Sequence, residues 1–451
     1  MIEAADLQGG IVRGYGQRFG VARHLFARVR EPAAARTFLA AMAGPVTTEE
    51  EWAEHPKTTL NVALSFRALA ALELPAAILD RFPEEFRGGM ASRAERLGDD
   101  PRTWDDELRD LEVLLVVHAQ DERALAEECE GWERALDRGD HGLQLAHVQP
   151  AGLLGDQREH FGFTDGFSQP AIEGVARQEI RGQGIPYKRP PWPLVPVRWR
   201  AIKPGEFVLG YEDEDRALAP APPPPFHRNA TFMVWRKLHQ DVARFREQVA
   251  AHARRLGLDE ELVAAKLVGR WRDGSPLALR PDAPDHALGN DKARANDFRY
   301  GDDPLGLRCP RGAHVRRTNP RDALGWQGRL TARHRILRRG MPYGPPLPAG
   351  AADDGAQRGL LFVCLQASIA RQFEIVQTQW CNDGNAFGLG AQADPITGPA
   401  GSEVMHLIEG APPQVVSPLR SCVACRGGEY LFVPSVTALR ALPRCANVRD
   451  V

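Results

Sequence analysis

One aspartate has the surroundings that proton transfer requires. Asp165 lies between Gly162 and Gly166 in the segment HFGFTDGFSQPAIEG, residues 160–174. Flanking glycines predict a tight turn, and such a turn can present a carboxylate that takes up and returns a proton. Aromatic residues on both sides indicate an apolar pocket around it: Phe161, Phe163 and Phe167. The alternative is an Asx-turn, in which the carboxylate only binds its own backbone.

A histidine among arginines is the candidate ligand for a cofactor. His314, one of 13 histidines, lies in the segment LRCPRGAHVRRTNPRD, residues 307–322. The arginines around it are Arg311, Arg316, Arg317 and Arg321. Because guanidinium pairs bidentately with carboxylate, this setting favours a cofactor that carries carboxylates. The alternative is a solvated basic loop.

Further positive charge lies on a short predicted strand in HRILRRGMPYG, residues 334–344. Ile336 and Leu337 indicate the strand, and alternation along it lets one arginine point inward while its neighbour faces solvent. The arginines that compete for this inward position are Arg335, Arg338 and Arg339.

The first 155 residues predict the order β-α-β-β-α-β, the split βαβ or ferredoxin-like arrangement. The predicted strands are 20–30, 58–66, 111–119 and 142–154, and the first helix is 31–44. Asp121 is the predicted N-cap of the second helix. A polar, charged excursion that includes Pro83–Asp110 separates the second and third strands.

The rest of the chain predicts a second ferredoxin-like unit with a large insertion. Its predicted strands are 206–211, 229–238, 359–368 and 428–436, with helices over 239–257 and from Ile369. The insertion, 258–358, is rich in Gly, Pro and Arg, and long irregular segments in compact domains are usually functional. Residues 176–206 predict a surface connection. The predicted class is therefore α+β, two ferredoxin-like units with antiparallel sheets. The predicted domains are 1–155, a connecting segment 156–205 that carries the turn of Asp165, and 206–451.

Composition narrows the function classes. Lys and Arg number 57 against 59 Asp and Glu, so the basic excess typical of nucleic-acid binding is missing. No stretch approaches the ~20 apolar residues of a membrane span, and no N-terminal basic region precedes an apolar run, so we expect a cytoplasmic protein. Seven scattered cysteines argue against a disulfide framework. Cys422 and Cys425 form a lone CxxC that lacks a second pair of zinc ligands.

Taken together, the three segments resemble the dye-decolorizing peroxidases, a family of haem peroxidases. GFTDG, 162–166, matches the family's GxxDG signature. CPRGAHVRRTNPRD is similar to its haem-ligand segment, and HRILRRGMPYG is similar to the segment with its distal arginine. Similarity continues in 359–383, 393–398 and 427–435, and the family also has two ferredoxin-like units. SCVACRGGEY departs from the family pattern.

The resemblance implies one haem b per chain, bound in the C-terminal unit with His314 as the iron ligand. Asp394 of ADPITG is the candidate partner of the other imidazole nitrogen, with Asp383 as the alternative. Asp165 is implied as the acid–base group and Arg338 as the cation that stabilises the peroxide. The other residues expected at the haem are Gly162, Phe163, Gly166 and Arg317, with Leu360 and Phe362 as its apolar distal wall.

The implied reaction reduces hydrogen peroxide through a ferryl intermediate and oxidises dyes, phenolic compounds or other bulky organic donors. Such donors require an electron entry at the surface, for which Trp326 and Tyr343 are candidates. Nucleic acid and membrane are not expected as partners, and a homo-oligomer is left open. One alternative is a haem- or porphyrin-processing enzyme that releases iron or oxidises a porphyrinogen. The other is a haem-binding protein without turnover.

Overall fold

The structure is a computed structural model that describes residues 2–16, 18–139, 141–155, 158–175, 181–187 and 197–445. The predicted surface connection over 176–206 therefore lies in part outside the described residues. Within those residues, no helix combines the length and the apolar character that crossing a membrane requires.

The N-terminal unit has the predicted β-α-β-β-α-β order, with several short helices in the excursion between its second and third strands. Its strands pair antiparallel in the order β4-β1-β3-β2. The elements are β1 (Val21–Val29), α1 (Pro32–Ala41), β2 (Thr58–Ser65), α2 (Phe66–Ala71), α3 (Ala76–Leu79), α4 (Glu84–Gly88), α5 (Ala94–Leu97), β3 (Val113–Ala119), α6 (Glu122–Arg138) and β4 (Leu143–Gly152).

Local sequence explains the ends of the long helix α6. The side chain of Asp121 accepts a hydrogen bond from the Ala124 N–H at 2.8 Å, as predicted for an N-cap. Gly139 ends the helix in the left-handed conformation, which glycine adopts without a Cβ clash. The strand that precedes this helix is almost entirely buried, as its continuous apolar run predicts.

The C-terminal unit repeats the arrangement. Strand β13 pairs with β7, β7 pairs with β10, and both β8 and β9 pair along β10, all antiparallel. The connecting segment and this unit contain β5 (Ile185–Tyr187), β6 (Arg198–Arg200), β7 (Thr231–Gln240), α7 (Val242–Leu256), α8 (Glu260–Val268), α9 (His286–Gly289), α10 (His314–Thr318), α11 (Arg329–Ala332), β8 (Leu337–Arg338), β9 (Met341–Tyr343), β10 (Gly359–Gln366), β11 (Glu403–Ile408), β12 (Gln414–Arg420), β13 (Val423–Val433) and α12 (Val436–Cys445). Turns of π-helix span Ala370–Glu374 and Val376–Asn382.

The two units share one nine-stranded sheet. They join where β2 pairs with β13, through Ser65 with Leu431 and Leu64 with Phe432. One apolar cluster draws on both units, since Phe26 and Leu114 belong to the same buried group as Trp235 and Val363. The expected α+β class with two ferredoxin-like units is confirmed.

One predicted strand is wrong. In the predicted strand 206–211, EFVLGY, Glu206 ends the 3₁₀ helix Pro204–Glu206 and the other residues form a turn, so the first strand of the unit is Thr231–Gln240. Phe207, Val208 and Leu209 are fully buried, so the apolar run reflects packing of a loop and not strand periodicity. Gly210 then takes a φ of 85°, which ends any extended conformation.

The insertion is mostly irregular, as predicted, although it contains the helix α8. The hairpin of β11 and β12 was not predicted; its strands alternate in burial only in part and follow a Gly-rich stretch. Both features lie beside the segments that hold the candidate site residues.

Candidate functional site

The imidazole of His314 is held by a buried carboxylate. His314 is the first residue of helix α10, and its Nδ1 lies 3.1 and 3.0 Å from the two oxygens of Asp394. Asp394 is fully buried, whereas the His314 side chain is 26% exposed. No hydrogen bond from a described residue reaches Nε2. A carboxylate on Nδ1 fixes the tautomer and leaves Nε2 as the donor atom for a metal.

The loop around Asp394 is built to keep this carboxylate charged. Burial alone would raise the pKa of Asp394. The charge and hydrogen bond of His314, together with the Thr397 N–H, lower it by more than burial raises it, so the pKa lies below its usual range. The N–H groups of Ile396 and Thr397 each donate to Oδ1 at 2.8 Å. Asp394 is therefore the carboxylate partner of His314. Asp383, the alternative, is exposed and accepts from the Asn385 N–H.

The structure corrects the expectation that Arg317 contacts the cofactor. Its side chain is fully buried, and its guanidinium donates to the carbonyls of Trp380, Gln392 and Asp383 at 2.6–2.8 Å. A group without an accessible surface cannot also bind a ligand carboxylate. Arg317 instead stabilises the loop that carries Asp394.

The other arginines of the segment also bind within the chain. Arg311 pairs with Glu409, and Arg316 pairs with Asp303. Arg321 donates through Nη1 to the carbonyls of Gly182, Asn296 and Phe298. The basic character of 311–321 therefore has a structural explanation at each position.

The turn of Asp165 is organised by a neighbouring glutamate. The carboxylate of Glu159 accepts the N–H groups of Phe161 and Phe163, both at 2.9 Å. Gly162 has a φ of 93°, and an added Cβ would lie 3.1 Å from Nε of Arg272, so this position requires glycine. Thr164 binds the Arg272 carbonyl through its N–H at 3.1 Å. Glu159 and Arg272 were not predicted.

Asp165 itself is partly exposed, and its Oδ1 accepts the N–H of Gly166 at 2.6 Å. The predicted aromatic pocket is different in detail. Phe161 and Phe163 are buried against Phe245 of α7, with ring centroids 4.3 and 6.4 Å from it. Phe167 belongs to another buried cluster. These rings anchor the two ends of the turn in the core and hold Asp165 between them.

Arg338 is hydrogen-bonded to the segment that carries Asp165. Its backbone N–H donates to Oε1 of Gln169 at 3.0 Å, and Nε2 of Gln169 donates back to its carbonyl at 2.9 Å. Its Nη2 lies 3.2 Å from the carbonyl of Ser168. The turn of Asp165 and the strand β8 are thus joined by a side chain four residues beyond Asp165. Gln169 was not predicted, although GFSQP directly follows the turn.

The three competing arginines have different surroundings. Arg338 is exposed and pairs in register with Cys364 of β10. Arg339 donates to the carbonyls of Gly10 and Ile11 and so ties β8 to the N-terminal segment. Arg335 is 9% exposed, and no described residue accepts a hydrogen bond from its guanidinium.

Strand β10 brings two apolar side chains to one face. Leu360 and Phe362 alternate with Leu361 and Val363 and are half-buried, whereas those two are 0% and 4% exposed. Residues paired across an antiparallel ladder point to the same side, so Phe362, Cys364 and Arg338 share this face. The apolar wall and the arginine are therefore adjacent on the sheet.

The candidate electron entries differ in exposure. Trp326 is 67% exposed, while Tyr343 is 4% exposed on β9. Cys422 and Cys425 are both buried free thiols, and the other five cysteines are also buried and unpaired.

These groups suit a haem. Nε2 of His314 is available to an iron, Leu360 and Phe362 offer an apolar surface, and Arg335 is a buried cation without a described anionic partner, whereas haem carries carboxylates. Two ferredoxin-like units with a carboxylate-backed imidazole and an arginine joined to an aspartate turn define a haem peroxidase.

Comparison with known proteins supports this class. A family model described as Dyp-type peroxidase, C-terminal, matches residues 277–399. A dye-decolorizing peroxidase of Mycena epipterygia is 31% identical over 431 residues, which cover 86% of this chain and 76% of the relative. A multifunctional dye peroxidase of Amycolatopsis sp. is 31% identical over 470 residues, covering 93% and 91%. A dye-decolorizing peroxidase solved in complex with 2,6-dimethoxyphenol is 25% identical with a TM-score of 0.82, covering 98% and 100%.

The chain belongs to the dye-decolorizing peroxidase family, whose catalysis depends on haem. The resemblance stated from the three sequence segments is confirmed.

Proposed function

We propose that this chain binds one haem b through His314, reduces hydrogen peroxide and oxidises dyes, phenolic compounds and other organic donors. Membership of the family supports the peroxidase reaction. The solved complex of a related peroxidase with 2,6-dimethoxyphenol supports phenols as donors, and the names of the relatives support dyes.

One observation favours a peroxidase over a haem-binding protein without turnover. The side chain of Gln169 forms hydrogen bonds with both the backbone N–H and the backbone carbonyl of Arg338, which joins Arg338 to the segment that follows Asp165. A carrier needs a ligand and apolar walls, but it needs no arginine hydrogen-bonded to the segment that carries an acidic turn. The same contact favours peroxide chemistry over iron release or porphyrinogen oxidation, for which we find no separate feature among the described residues.

The proposed roles follow from the chemistry of each group. When bound, haem supplies the redox centre that accepts electrons from donors and passes them to peroxide. Nε2 of His314 binds the iron, and Asp394 orients the ring and increases its electron donation through Nδ1. Asp165 accepts the proton of the peroxide and returns it to the departing water. Arg338 stabilises the negative charge that develops on the peroxide, and Leu360 and Phe362 limit the access of water.

Replacement of each polar residue tests these roles. We expect Arg338→Leu to lower kcat/KM for peroxide roughly a hundredfold to a thousandfold, because it removes the oriented charge that stabilises the peroxide. Asp165→Asn should also lower it, because an amide cannot accept the proton of the peroxide. Arg420→Leu is the control, since Arg420 is an exposed arginine paired with Glu403. A wild-type rate in Arg338→Leu transfers the role to another arginine.

We propose domain boundaries at 155/156 and 205/206, supported by the two strand orders, and a cytoplasmic location from the sequence. The internal partners of the arginines in 311–321 support the expectation that nucleic acid is not a ligand. Trp326 is the stronger candidate for electron entry because of its exposure. A homo-oligomer stays open to measurement of the molecular mass in solution.

A further inference from the structure

Arg335 is an unusual buried cation. Its side chain is 9% exposed, and its guanidinium has no hydrogen bond or ion pair to any described residue. Among the described residues its hydrogen bonds are those of its backbone, with the N–H directed to the Ala332 carbonyl and its carbonyl accepting from Gln372 at 2.6 Å. A buried charge is costly unless it is paired, so this position requires an explanation.

Neighbouring charges increase the cost. Burial, followed by repulsion from Arg321 and Arg338, lowers the pKa of Arg335 to about 9. Two cations therefore lie within electrostatic range of Arg335, and no acidic side chain of the described residues supplies an opposing attraction.

Other buried arginines in the region are satisfied within the chain. Arg270 donates to the Gly274 and Ala295 carbonyls and to Asn296, and burial lowers its pKa to about 9 as well. Arg321 and Arg339 each bind backbone carbonyls. Packing of guanidinium groups alone thus does not account for Arg335, because its neighbours find acceptors and it does not.

The position of Arg335 near Arg338 indicates which class of ligand it binds. Arg335 precedes Arg338 by three residues, and Arg338 lies on the same sheet face as Phe362. We propose that Arg335 binds a carboxylate of the cofactor, a haem propionate, and supplies the carboxylate contact that Arg317 cannot make. The proposal rests on the proposed function, because the anion belongs to haem.

Haem retention is the direct test, measured as transfer of haem from the holoprotein to excess apomyoglobin. We expect Arg335→Met to lose haem at least about tenfold faster, the scale of one charge-assisted contact. Arg335→Lys keeps the charge but not the fork, so its rate should lie between wild type and Arg335→Met. The absorption spectrum should be unchanged, since His314 and Asp394 are intact. The iron reduction potential should become more negative when a nearby cation is removed.

A matched control separates this role from general destabilisation. Arg36 is also a buried arginine, but it lies in the N-terminal unit and donates to the Leu72 carbonyl. Arg36→Met should lower stability and leave haem transfer and reduction potential at wild-type values. If Arg335→Met does not fold, Arg335→Lys carries the test.

Two results overturn the proposal. Wild-type transfer rate and potential in both Arg335 variants would mean that no cofactor carboxylate lies there. Unchanged transfer with a raised KM for a sulfonated dye, but not for a neutral phenol, would mean that the anion comes from the donor. Failure of the proposed function gives a different signature, since the wild-type protein would then hold no haem through His314.

Discussion

At the scale of single residues, some contacts of the candidate site could be predicted from motifs, whereas others become visible only in the folded chain. Asp394 was selected over Asp383 by its place in ADPITG, and its contact with His314 agrees with that choice. Glu159 and Gln169 were missed because a polar side chain that binds backbone groups, nearby for Glu159 and distant for Gln169, leaves no periodic pattern. Gln169 reaches Arg338 across 169 positions. Arg317 was expected at the cofactor because it follows His314 closely in sequence, and sequence does not reveal the backbone carbonyls that accept from its guanidinium in the fold.

The Asp394–His314 contact gives the prediction at this scale. Asp394→Asn keeps the shape and one acceptor oxygen but removes the charge that increases the electron donation of the imidazole. Loss of such a partner typically costs about 10- to 100-fold in activity or affinity, and we expect that loss in kcat/KM for peroxide. Asp383→Asn is the matched control and should be neutral. The reverse outcome in the two variants would assign the carboxylate role to Asp383.

At the scale of elements, long periodic segments were predicted well and short ones poorly. Strands β1, β3 and β10 and helix α6 have continuous or alternating apolar patterns that local sequence determines. Residues 206–211 have the composition of a strand, but their burial comes from a loop packed beneath the sheet. β8 has two residues, so only its pairing with β10 defines it. Such elements depend on partners far away in sequence.

A buried glutamate shows how two elements are docked. Glu429 of β13 is 9% exposed and accepts the N–H of Met90, which follows helix α4, at 2.8 Å. Burial raises its pKa to about 7, against the opposing effect of that N–H and of the Tyr430 N–H. Because the folded pKa exceeds the unfolded value, ionisation of Glu429 opposes folding. The protein should lose this part of its stability as pH rises from about 4.5 to 7.

Glu429→Gln tests this sign. The amide oxygen can still accept both N–H groups, but it carries no charge to bury. Urea unfolding should show equal stabilities below about pH 4.5. Above pH 7 the variant should be more stable by up to about 3 kcal/mol, the equivalent of the shift in pKa. A variant that is less stable than wild type at pH 8 would contradict the prediction.

At the scale of the whole molecule, the excursion between β2 and β3 acquires a role that its sequence did not reveal. Its polar, charged composition assigned it no contact with the rest of the chain. In the structure it lies against the C-terminal unit, where Asp99 pairs with Arg236 at 2.5 Å, Asp105 pairs with Lys237 at 2.8 Å, and Arg93 pairs with Glu374. With the shared sheet and the shared apolar cluster, these pairs indicate that the two units unfold together.

Removal of one partner in the most buried pair tests this cooperativity. The side chains of Asp99 and Arg236 are 7% and 5% exposed, so Asp99→Asn leaves a buried guanidinium without its counter-charge. Breaking a buried pair in this way costs about 3–5 kcal/mol, which should lower the midpoint of the whole transition. Calorimetry of the holoprotein should show one transition in wild type and variant, with calorimetric and van't Hoff enthalpies equal. The neighbouring Asp100 pairs with Arg102 in solvent, so Asp100→Asn should leave the midpoint unchanged. A variant that unfolds in two steps, with the C-terminal unit alone shifted, would show that the two units are stabilised independently.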